Sequence, residues 1–180
     1  MDKTLIIVGG GYLGIELAKA LESAMNVTLV EPRQAFVHAP AMIRALVEPS
    51  ILESALMPYE KLLSKGRVVQ DRAVSIEDTG VTLSSGDHLD ADYIVVATGS
   101  WNGIVFKPEG DDIEAFRAAH RDVYQKLQAA NTVAIVGAGA VGTELAGEIA
   151  HAMPDKKVTL ISSAASLFPD LPPKLGASLA

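Results

Sequence analysis

Two stretches of the chain share one pattern of apolar and small residues. Each begins with a short apolar run, at residues 6–8 or 134–136, and passes through a glycine-rich turn. Each ends in a second apolar run, at residues 27–30 or 158–161. Uninterrupted runs of this length are typical of parallel strands that are buried on both faces.

Apolar residues at helical spacing separate the two runs of each stretch. They are Leu17, Leu21 and Ala24 in the first stretch and Val141, Leu145 and Ile149 in the second. We therefore predict strand, glycine turn, helix and strand twice along the chain. The repeat distance is too long for a solenoid, so two related nucleotide domains fit better.

The segment between the repeats has a different pattern of prolines and apolar residues. Proline starts and apolar spacing predict short helices at residues 40–46 and 58–63. Residues 68–76, 81–83 and 87–89 are expected to form short antiparallel strands, and residues 93–97 a central strand. Asp111 or Asp112 is a candidate cap for a helix whose apolar face is Ile113, Phe116, Val123 and Leu127.

The pattern as a whole predicts an α/β fold. We expect a Rossmann-like three-layer fold, in which a parallel sheet carries an antiparallel β-meander, followed by the start of a second Rossmann unit. The predicted domains are a first domain at residues 1–108, a linker helix at 109–130 and an incomplete second domain at 131–180.

The first glycine turn has the spacing of a dinucleotide fingerprint. Its residues are Gly9, Gly10, Gly11, Tyr12, Leu13 and Gly14. The first fingerprint glycine permits a tight turn, the second lets a pyrophosphate approach the backbone, and the third lets the helix pack on the strand. The free N–H groups at the helix start then face the phosphates. Glu31 follows about 20 residues later, where a carboxylate accepts hydrogen bonds from ribose hydroxyls.

The second turn repeats this spacing with Gly137, Gly139 and Gly142, and Val141 lies inside it. The position that matches Glu31 is Ser162. A serine neither requires a free 2′-hydroxyl nor repels a 2′-phosphate, and no arginine lies nearby in the sequence. The motif therefore leaves the choice between NADH and NADPH open.

Composition excludes several other classes. A net charge of −7 without a basic stripe argues against nucleic-acid binding. We expect no transmembrane segment, no signal peptide and a cytoplasmic location. The chain has no cysteine, and its four histidines lack the spacing of metal ligands, so we expect no metal site.

These motifs resemble those of the two-dinucleotide-domain flavoproteins, the pyridine nucleotide-disulfide oxidoreductase superfamily. The match rests on the first turn with Glu31, on Ala97, Thr98 and Gly99, and on the second turn through Glu144. The resemblance implies an FAD/NAD(P)-binding fold, in which the FAD-binding domain at residues 1–108 holds the ADP half of FAD. It also implies that the Ala97–Thr98–Gly99 strand passes near the flavin and that the incomplete NAD(P)H-binding domain at residues 131–180 holds NAD(P)H.

Within the superfamily the chain looks most like the branch of apoptosis-inducing-factor homologues, ferroptosis-suppressor-like quinone reductases and type II NADH dehydrogenases. That resemblance implies that Arg44 contacts FAD and that Val74 offers its backbone to the adenine. Glu144 would place a carboxylate near the nicotinamide. Alternatively, Arg44 is a surface arginine and Val74 is a core residue of the meander. The alternative for Glu144 is a solvated acid in the first helical turn.

Disulfide reductases place redox cysteines after the second strand, where this chain has Phe36, Val37 and His38. We therefore expect electrons to pass from flavin directly to a quinone or to oxygen. A non-catalytic nucleotide-binding or interaction module is the alternative function. Superfamily members are longer, so we expect the chain to be a fragment with an incomplete flavin site. Homo-oligomer formation and peripheral membrane contact are left open.

Overall fold

The computed structural model describes residues 3–101 and 105–179. The strands are β1 (Thr4–Val8), β2 (Asn26–Val30), β3 (Ala35–Val37), β4 (Leu56–Pro58), β5 (Arg67–Val69), β6 (Ala73–Glu77), β7 (Gly80–Leu83), β8 (His88–Asp90), β9 (Tyr93–Val96), β10 (Thr132–Val136) and β11 (Lys157–Ile161). The helices are α1 (Tyr12–Leu21), α2 (Ala39–Ala45), α3 (Ser50–Ser54), α4 (Ile113–Ala129), α5 (Ala140–Ala152) and α6 (Pro173–Leu179). Both predicted repeats are confirmed, as β1-α1-β2 and β10-α5-β11.

The chain divides into two compact units. The first unit comprises Met1–His38 and Ala55–Phe116, and the second comprises Ala39–Ser54 and Arg117–Ala180. The division falls inside α4 and assigns α2 and α3 to the second unit. A unit defined by compactness need not coincide with a cofactor-binding domain, so the domains expected at residues 1–108, 109–130 and 131–180 stay a prediction.

A parallel sheet with strand order β5-β2-β1-β9 forms the centre of the first unit. Ile6 of β1 lies opposite Thr28 of β2 and Ile94 of β9. Successive side chains of a strand point to opposite faces, so an apolar run such as β1 has to be covered on both sides. Among the strands that the structure describes, β9 pairs with β1 alone, so the strand predicted to be central lies at one end of this order.

Two layers cover the two faces of this sheet. On one face α1 packs over β1 and β2 in a cluster that includes Leu5, Ile7, Ile15, Ala18 and Leu29. On the other face β7 packs against the alternate residues, in a cluster of Ile6, Val8, Val30, Val81 and Leu83. Helix, parallel sheet and antiparallel meander therefore form three layers, and the predicted fold class is confirmed.

The meander has the strand order β6-β7-β8 and is antiparallel. The single strand predicted at residues 68–76 is wrong, because the chain changes sheets between β5 and β6. Asp71 fixes that change: its carboxylate accepts hydrogen bonds from the amides of Arg72 and Ser85 and from the Ser84 hydroxyl. Hydrogen bonds lower the pKa of Asp71 to about 2. The bond from Ser84 contributes most, followed by those from Ser85 and Arg72.

The helix predicted at residues 58–63 is also wrong. Pro58 instead ends β4, which pairs with β3 so that Met57 lies opposite Phe36. The following chain is held as a loop by Glu22, whose Oε2 accepts the amides of residues 64, 65 and 66 at 2.7, 2.8 and 3.1 Å. The amides of Lys65, Gly66 and Ser64 hold the pKa of Glu22 below its ordinary value.

The predicted cap of α4 is confirmed for Asp112. Its Oδ1 accepts the amides of Glu114 at 2.8 Å and Ala115 at 3.2 Å, as an N-cap carboxylate does. The neighbouring Asp111 instead pairs with Arg72 at 2.6 Å. The predicted apolar face lies inward: Ile113, Phe116 and Leu127 are buried and Val123 is partly buried.

The second unit contains a parallel pair, β10 and β11, in which Ile135 lies opposite Leu160. Helix α5 covers one face of the pair, where Leu127, Ile135, Ile149 and Met153 form a core. The opposite face is open to solvent, and Val136 is 83% exposed. The helix predicted at residues 40–46 is confirmed as α2, whereas β3, β4, α3 and α6 were not predicted.

His120 links α4 to α2 inside the second unit. It is 1% exposed, and its Nε2 lies 3.3 Å from the carbonyl oxygen of Met42. Burial lowers the pKa of His120 below its ordinary value of 6.5, since a charged imidazole is disfavoured away from water. The folded chain therefore holds this histidine neutral where the unfolded chain protonates it.

We predict that Asp112→Ala lowers the free energy of unfolding by about 1 kcal/mol, because two amides at the start of α4 lose their acceptor. Urea denaturation followed by circular dichroism measures the change. Asp111→Ala is the matched control, since an exposed ion pair contributes less than about 1 kcal/mol. An equal loss in both variants would contradict the capping role.

His120 should make the stability of the folded chain depend on pH. Because the pKa of His120 is lower in the folded chain, stability is fully present above pH 6.5 and is lost as the pH falls through the range where the unfolded histidine takes up a proton. His120→Gln should flatten this slope in urea titrations between neutral and mildly acidic pH. The exposed His151 is the control, and His151→Gln should leave the slope unchanged.

Candidate functional site

The first glycine turn joins β1 to α1 and has little room for side chains. Gly9 has φ +107°, a conformation that strains any other residue. Its amide donates to the carbonyl oxygen of Val30 at 2.9 Å. A Cβ atom on Gly9 would lie 2.5 Å from the carbonyl oxygen of Ala97. The turn therefore needs glycine here for two independent reasons.

The other two fingerprint glycines differ in what surrounds them. Gly14 lies one helical turn into α1, and a Cβ on it would overlap the carbonyl oxygen of Gly9. Gly11 precedes α1 with φ −76° and ψ −170°, and no heavy atom lies within 4 Å of where its Cβ would be. Gly14 thus allows close packing, while Gly11 leaves open space at the helix start, as the motif predicts.

Gly10 ties the turn to Glu31 and Tyr59. Its amide donates to Glu31 Oε2 at 2.7 Å, and its carbonyl oxygen accepts the Tyr59 hydroxyl at 2.6 Å. Glu31 is 1% exposed, so its carboxylate needs polar partners within the protein. Burial and the Glu31 charge raise the pKa of Tyr59, which keeps its hydroxyl protonated as a donor.

Arg33 supplies the counter-charge for Glu31. Its Nε donates to Oε1 at 2.7 Å, a second guanidinium nitrogen donates to Oε2 at 3.2 Å, and its backbone amide donates to Oε1 at 3.0 Å. The hydrogen bond to Glu31 raises the pKa of Arg33. Sequence reasoning missed Arg33 and Tyr59. The available signal was an arginine two residues after an acid expected at a buried strand end.

Tyr12 and Leu13 lie at the exposed start of α1, with 49% and 62% of their surfaces open to solvent. The Tyr12 hydroxyl and His38 Nδ1 form a 2.8 Å hydrogen bond. The Tyr12 ring also meets the Phe36 ring edge-on at a centroid distance of 4.9 Å. His38 is thus a hydrogen-bonding partner of this helix start.

The Ala97–Thr98–Gly99 segment lies against the first turn. The Ala97 amide donates to the carbonyl oxygen of Val8 at 2.7 Å, which extends the pairing of β9 with β1. Thr98 and Gly99 are exposed, and Gly99 has φ +71°. Two motifs that are far apart in the sequence therefore meet at the carboxyl edge of one sheet.

Arg44 and Val74 occupy exposed positions in different units. Arg44 in α2 pairs with Glu48 at 3.1 Å, and its proposed contact with FAD stays a prediction. Val74 is 59% exposed and lies where the β6–β7 register shifts between Ala73 and Ser75. The alternative that Val74 is core of the meander is therefore wrong.

The second glycine turn reproduces the geometry of the first. Gly137 has φ +107°, and its amide donates to the carbonyl oxygen of Ile161 at 2.9 Å. Gly139 precedes α5 with φ −76° and ψ −172° and has open space where a Cβ would be. A Cβ on Gly142 would overlap the carbonyl oxygen of Gly137. Both helix starts thus present unobstructed backbone.

A cavity of about 450 Å³ lies over the second turn, lined by residues 137–139, 162–164, 166 and 168–171. Ser162 lines this cavity, and its Oγ accepts the Ala164 amide at 3.0 Å. Val141 is 43% exposed, and Glu144 is exposed in α5. Ser162, Val141 and Glu144 are therefore accessible to a ligand, but Val141 and Glu144 do not line this cavity.

Within residues 3–101 and 105–179, no three histidine, aspartate or glutamate side chains lie close enough together to hold a metal ion. None of the helices described is both long and apolar enough to span a bilayer.

Two strand–glycine turn–helix units with open helix starts define a protein with two dinucleotide-binding folds. A family model described as pyridine nucleotide-disulphide oxidoreductase matches residues 52–180, and a second model of that description matches residues 4–54. The chain belongs to the pyridine nucleotide-disulphide oxidoreductase family. Proteins of this family bind FAD and NAD(P)H, the two cofactors predicted from the sequence.

Curated relatives support this placement. The chain is 37% identical to apoptosis-inducing factor homolog B of Dictyostelium discoideum over 173 residues, which is 92% of this chain and 45% of the relative. It is 32% identical to ferroptosis suppressor protein 1 of Homo sapiens over 170 residues, 91% of this chain and 44% of the relative. The chain thus spans less than half the length of these relatives.

Solved structures share the fold. The NDH2 structure from Plasmodium falciparum in complex with NADH has a TM-score of 0.72 at 18% identity, covering 98% of this chain and 45% of that one. The sulfide:quinone oxidoreductase of Aquifex aeolicus has a TM-score of 0.67 at 23% identity, and the match covers 92% of this chain and 44% of that one.

The glycine geometry predicts losses of stability of different size within one turn. Gly14→Ala should lower the free energy of unfolding by about 2 kcal/mol or more, because its methyl group would overlap the Gly9 carbonyl oxygen. Gly11→Ala should cost less than about 1 kcal/mol, since its Cβ meets open space. Urea denaturation of both variants measures this. Equal losses would contradict the geometry.

Proposed function

We propose that this chain is the nucleotide-binding part of an FAD-dependent NAD(P)H oxidoreductase. The first unit holds the ADP half of FAD, and the second holds NAD(P)H. The single observation that carries the proposal is the matching pair of glycine turns, each with unobstructed backbone at a helix start. Family membership and relatives such as ferroptosis suppressor protein 1 support it.

The residues of the first unit fit the ADP half of FAD. A phosphate at the start of α1 would meet the open space at Gly11, where backbone amides and the helix dipole favour an anion. Glu31 lies at the end of β2, held by Gly10 and Arg33, and would accept ribose hydroxyls. Val74 is proposed as a further contact of this unit, through its backbone to the adenine. The contact of Arg44, a residue of the second unit, with FAD remains a prediction from the resemblance.

The residues of the second unit fit a second dinucleotide in the same way. Gly137 and Gly139 leave backbone open at the start of α5, next to the cavity that Ser162 lines. Val141 is an accessible apolar contact in the first turn of that helix. Glu144, one turn into α5, is proposed as the carboxylate near the nicotinamide.

The flavin, when bound, supplies a two-electron carrier between NAD(P)H and an acceptor. This chain contributes binding, orientation and a negative residue at Glu144, and it contributes no thiol because it has no cysteine. We propose a quinone or oxygen as the acceptor. The names of structural neighbours such as the sulfide:quinone oxidoreductase are consistent with a quinone.

We predict that the two sites can be disabled separately. Gly11→Val should abolish FAD binding and leave NADH binding intact, while Gly139→Val should do the reverse, because each side chain fills the space that a pyrophosphate needs. Calorimetric titration of the chain with FAD and with NADH measures both affinities. Circular dichroism of each variant checks that the fold is retained.

Loss of neither affinity in these variants would contradict the two-site assignment. The oxidoreductase and the non-catalytic module are distinguished by a further measurement. An oxidoreductase with bound FAD loses its flavin absorbance when NADH is added without oxygen. A chain that binds both nucleotides and keeps that absorbance favours the binding module.

A further inference from the structure

The cavity of the second unit is formed by two separate segments. One is the glycine turn at residues 137–139, and the other is the chain that follows β11, from Ser162 to Leu171. The second segment contributes hydroxyl groups from Ser162 and Ser163 and a carboxylate from Asp170. A dinucleotide placed at the turn would therefore face side chains that the fingerprint spacing does not include.

Asp170 determines the charge of this cavity. Among the described residues that line it, Asp170 is the one charged side chain, and neither lysine nor arginine contributes. In the described ranges no hydrogen bond or ion pair neutralises the Asp170 carboxylate. The cavity lining therefore combines the backbone of a helix start with a negative group.

The backbone holds the Asp170 segment in place. Phe168 has φ +50°, and its carbonyl oxygen accepts the Leu171 amide at 3.0 Å, which closes a turn around Asp170. Helix α6 packs on the same segment so closely that a Cβ on Gly176 would overlap the Leu167 carbonyl oxygen. The carboxylate thus sits on a turn that is fixed from both ends.

We propose that Asp170 makes the second unit select NADH over NADPH. This inference rests on the proposed function, in which this cavity takes a nicotinamide dinucleotide. The two cofactors differ by a 2′-phosphate with a charge of about −1.5 to −2 at neutral pH. Sites that accept this phosphate pair it with an arginine, whereas here it would meet a carboxylate and no cation. Placing like charge against the unwanted ligand is a direct route to specificity.

The sequence motif alone leaves this choice open, because Ser162 stands where the fingerprint acid would be. Asp170 lies eight positions further along and reaches the cavity through the turn at Phe168. The fold of the loop that follows β11 therefore places the charge that discriminates between NADH and NADPH. Ser162 and Ser163 remain available to a ribose hydroxyl.

The test is calorimetric titration of the wild-type chain with NADH and, separately, with NADPH at low ionic strength. NADH should bind about tenfold more tightly or better, the size of one close charge repulsion at a protein surface. Asp170→Asn should bring the two affinities together, mainly by strengthening NADPH binding. Added salt should shrink the wild-type preference because it screens the repulsion.

Asp155→Asn is the matched control, because Asp155 is an exposed acid of the same unit that does not line the cavity. It should leave the preference unchanged. Asp170→Ser is a second variant with a shorter polar side chain and should give the same shift as Asp170→Asn. Circular dichroism of all three variants checks that they fold.

Equal wild-type affinities for NADH and NADPH would overturn the selection by Asp170. So would a preference that survives in both Asp170 variants. In these two cases dinucleotide binding itself stands, and the proposed function is unaffected. If neither NADH nor NADPH binds the wild-type chain, the proposed function fails as well, so the two failures are distinguishable.

Discussion

At the glycine turns one backbone segment packs directly against another with no side chain between them. The rest of this structure depends on that packing. At Gly9 the chain passes against the carbonyl oxygen of Ala97, and at Gly14 the helix rests on the Gly9 carbonyl oxygen. This close packing points the start of α1 at the carboxyl edge of the sheet. The same packing at Gly142 positions the start of α5. The free amides of both helix starts are thereby placed where an anion can reach them.

The local pattern of the sequence predicted the parts of the fold that depend on nearby residues. Both strand–turn–helix–strand repeats follow from buried apolar runs and glycine spacing, and the Asp112 cap follows from its place before an amphipathic helix. The helix expected at residues 58–63 failed because distant contacts override it. Met57 pairs across to Phe36, and Glu22 holds the amides that follow. Propensity gives way where tertiary hydrogen bonds are available.

The candidate site likewise contains some residues that the sequence predicts and others that it does not. The open backbone at Gly11 and Gly139 was predictable because it is a property of the turn itself. Arg33 and Tyr59 were not, since their roles depend on how they reach Glu31 and Gly10 in space. A buried carboxylate requires partners, but one sequence does not say which residues provide them. Asp170 belongs to this second group, because a turn brings it to the cavity.

Glu22 gives one border of the sheet a different chemical character from its centre. Strand β5 is reached through a loop whose three consecutive amides are satisfied by a single surface carboxylate, whereas β1 is enclosed by apolar side chains. Because the pKa of Glu22 is lowered in the folded chain, the stability that this clamp adds is present above the ordinary pKa of the group and is lost as the pH falls through the lowered one. Acid therefore acts on this border of the sheet through one carboxylate, whereas the apolar side chains that enclose β1 carry no group that titrates in acid.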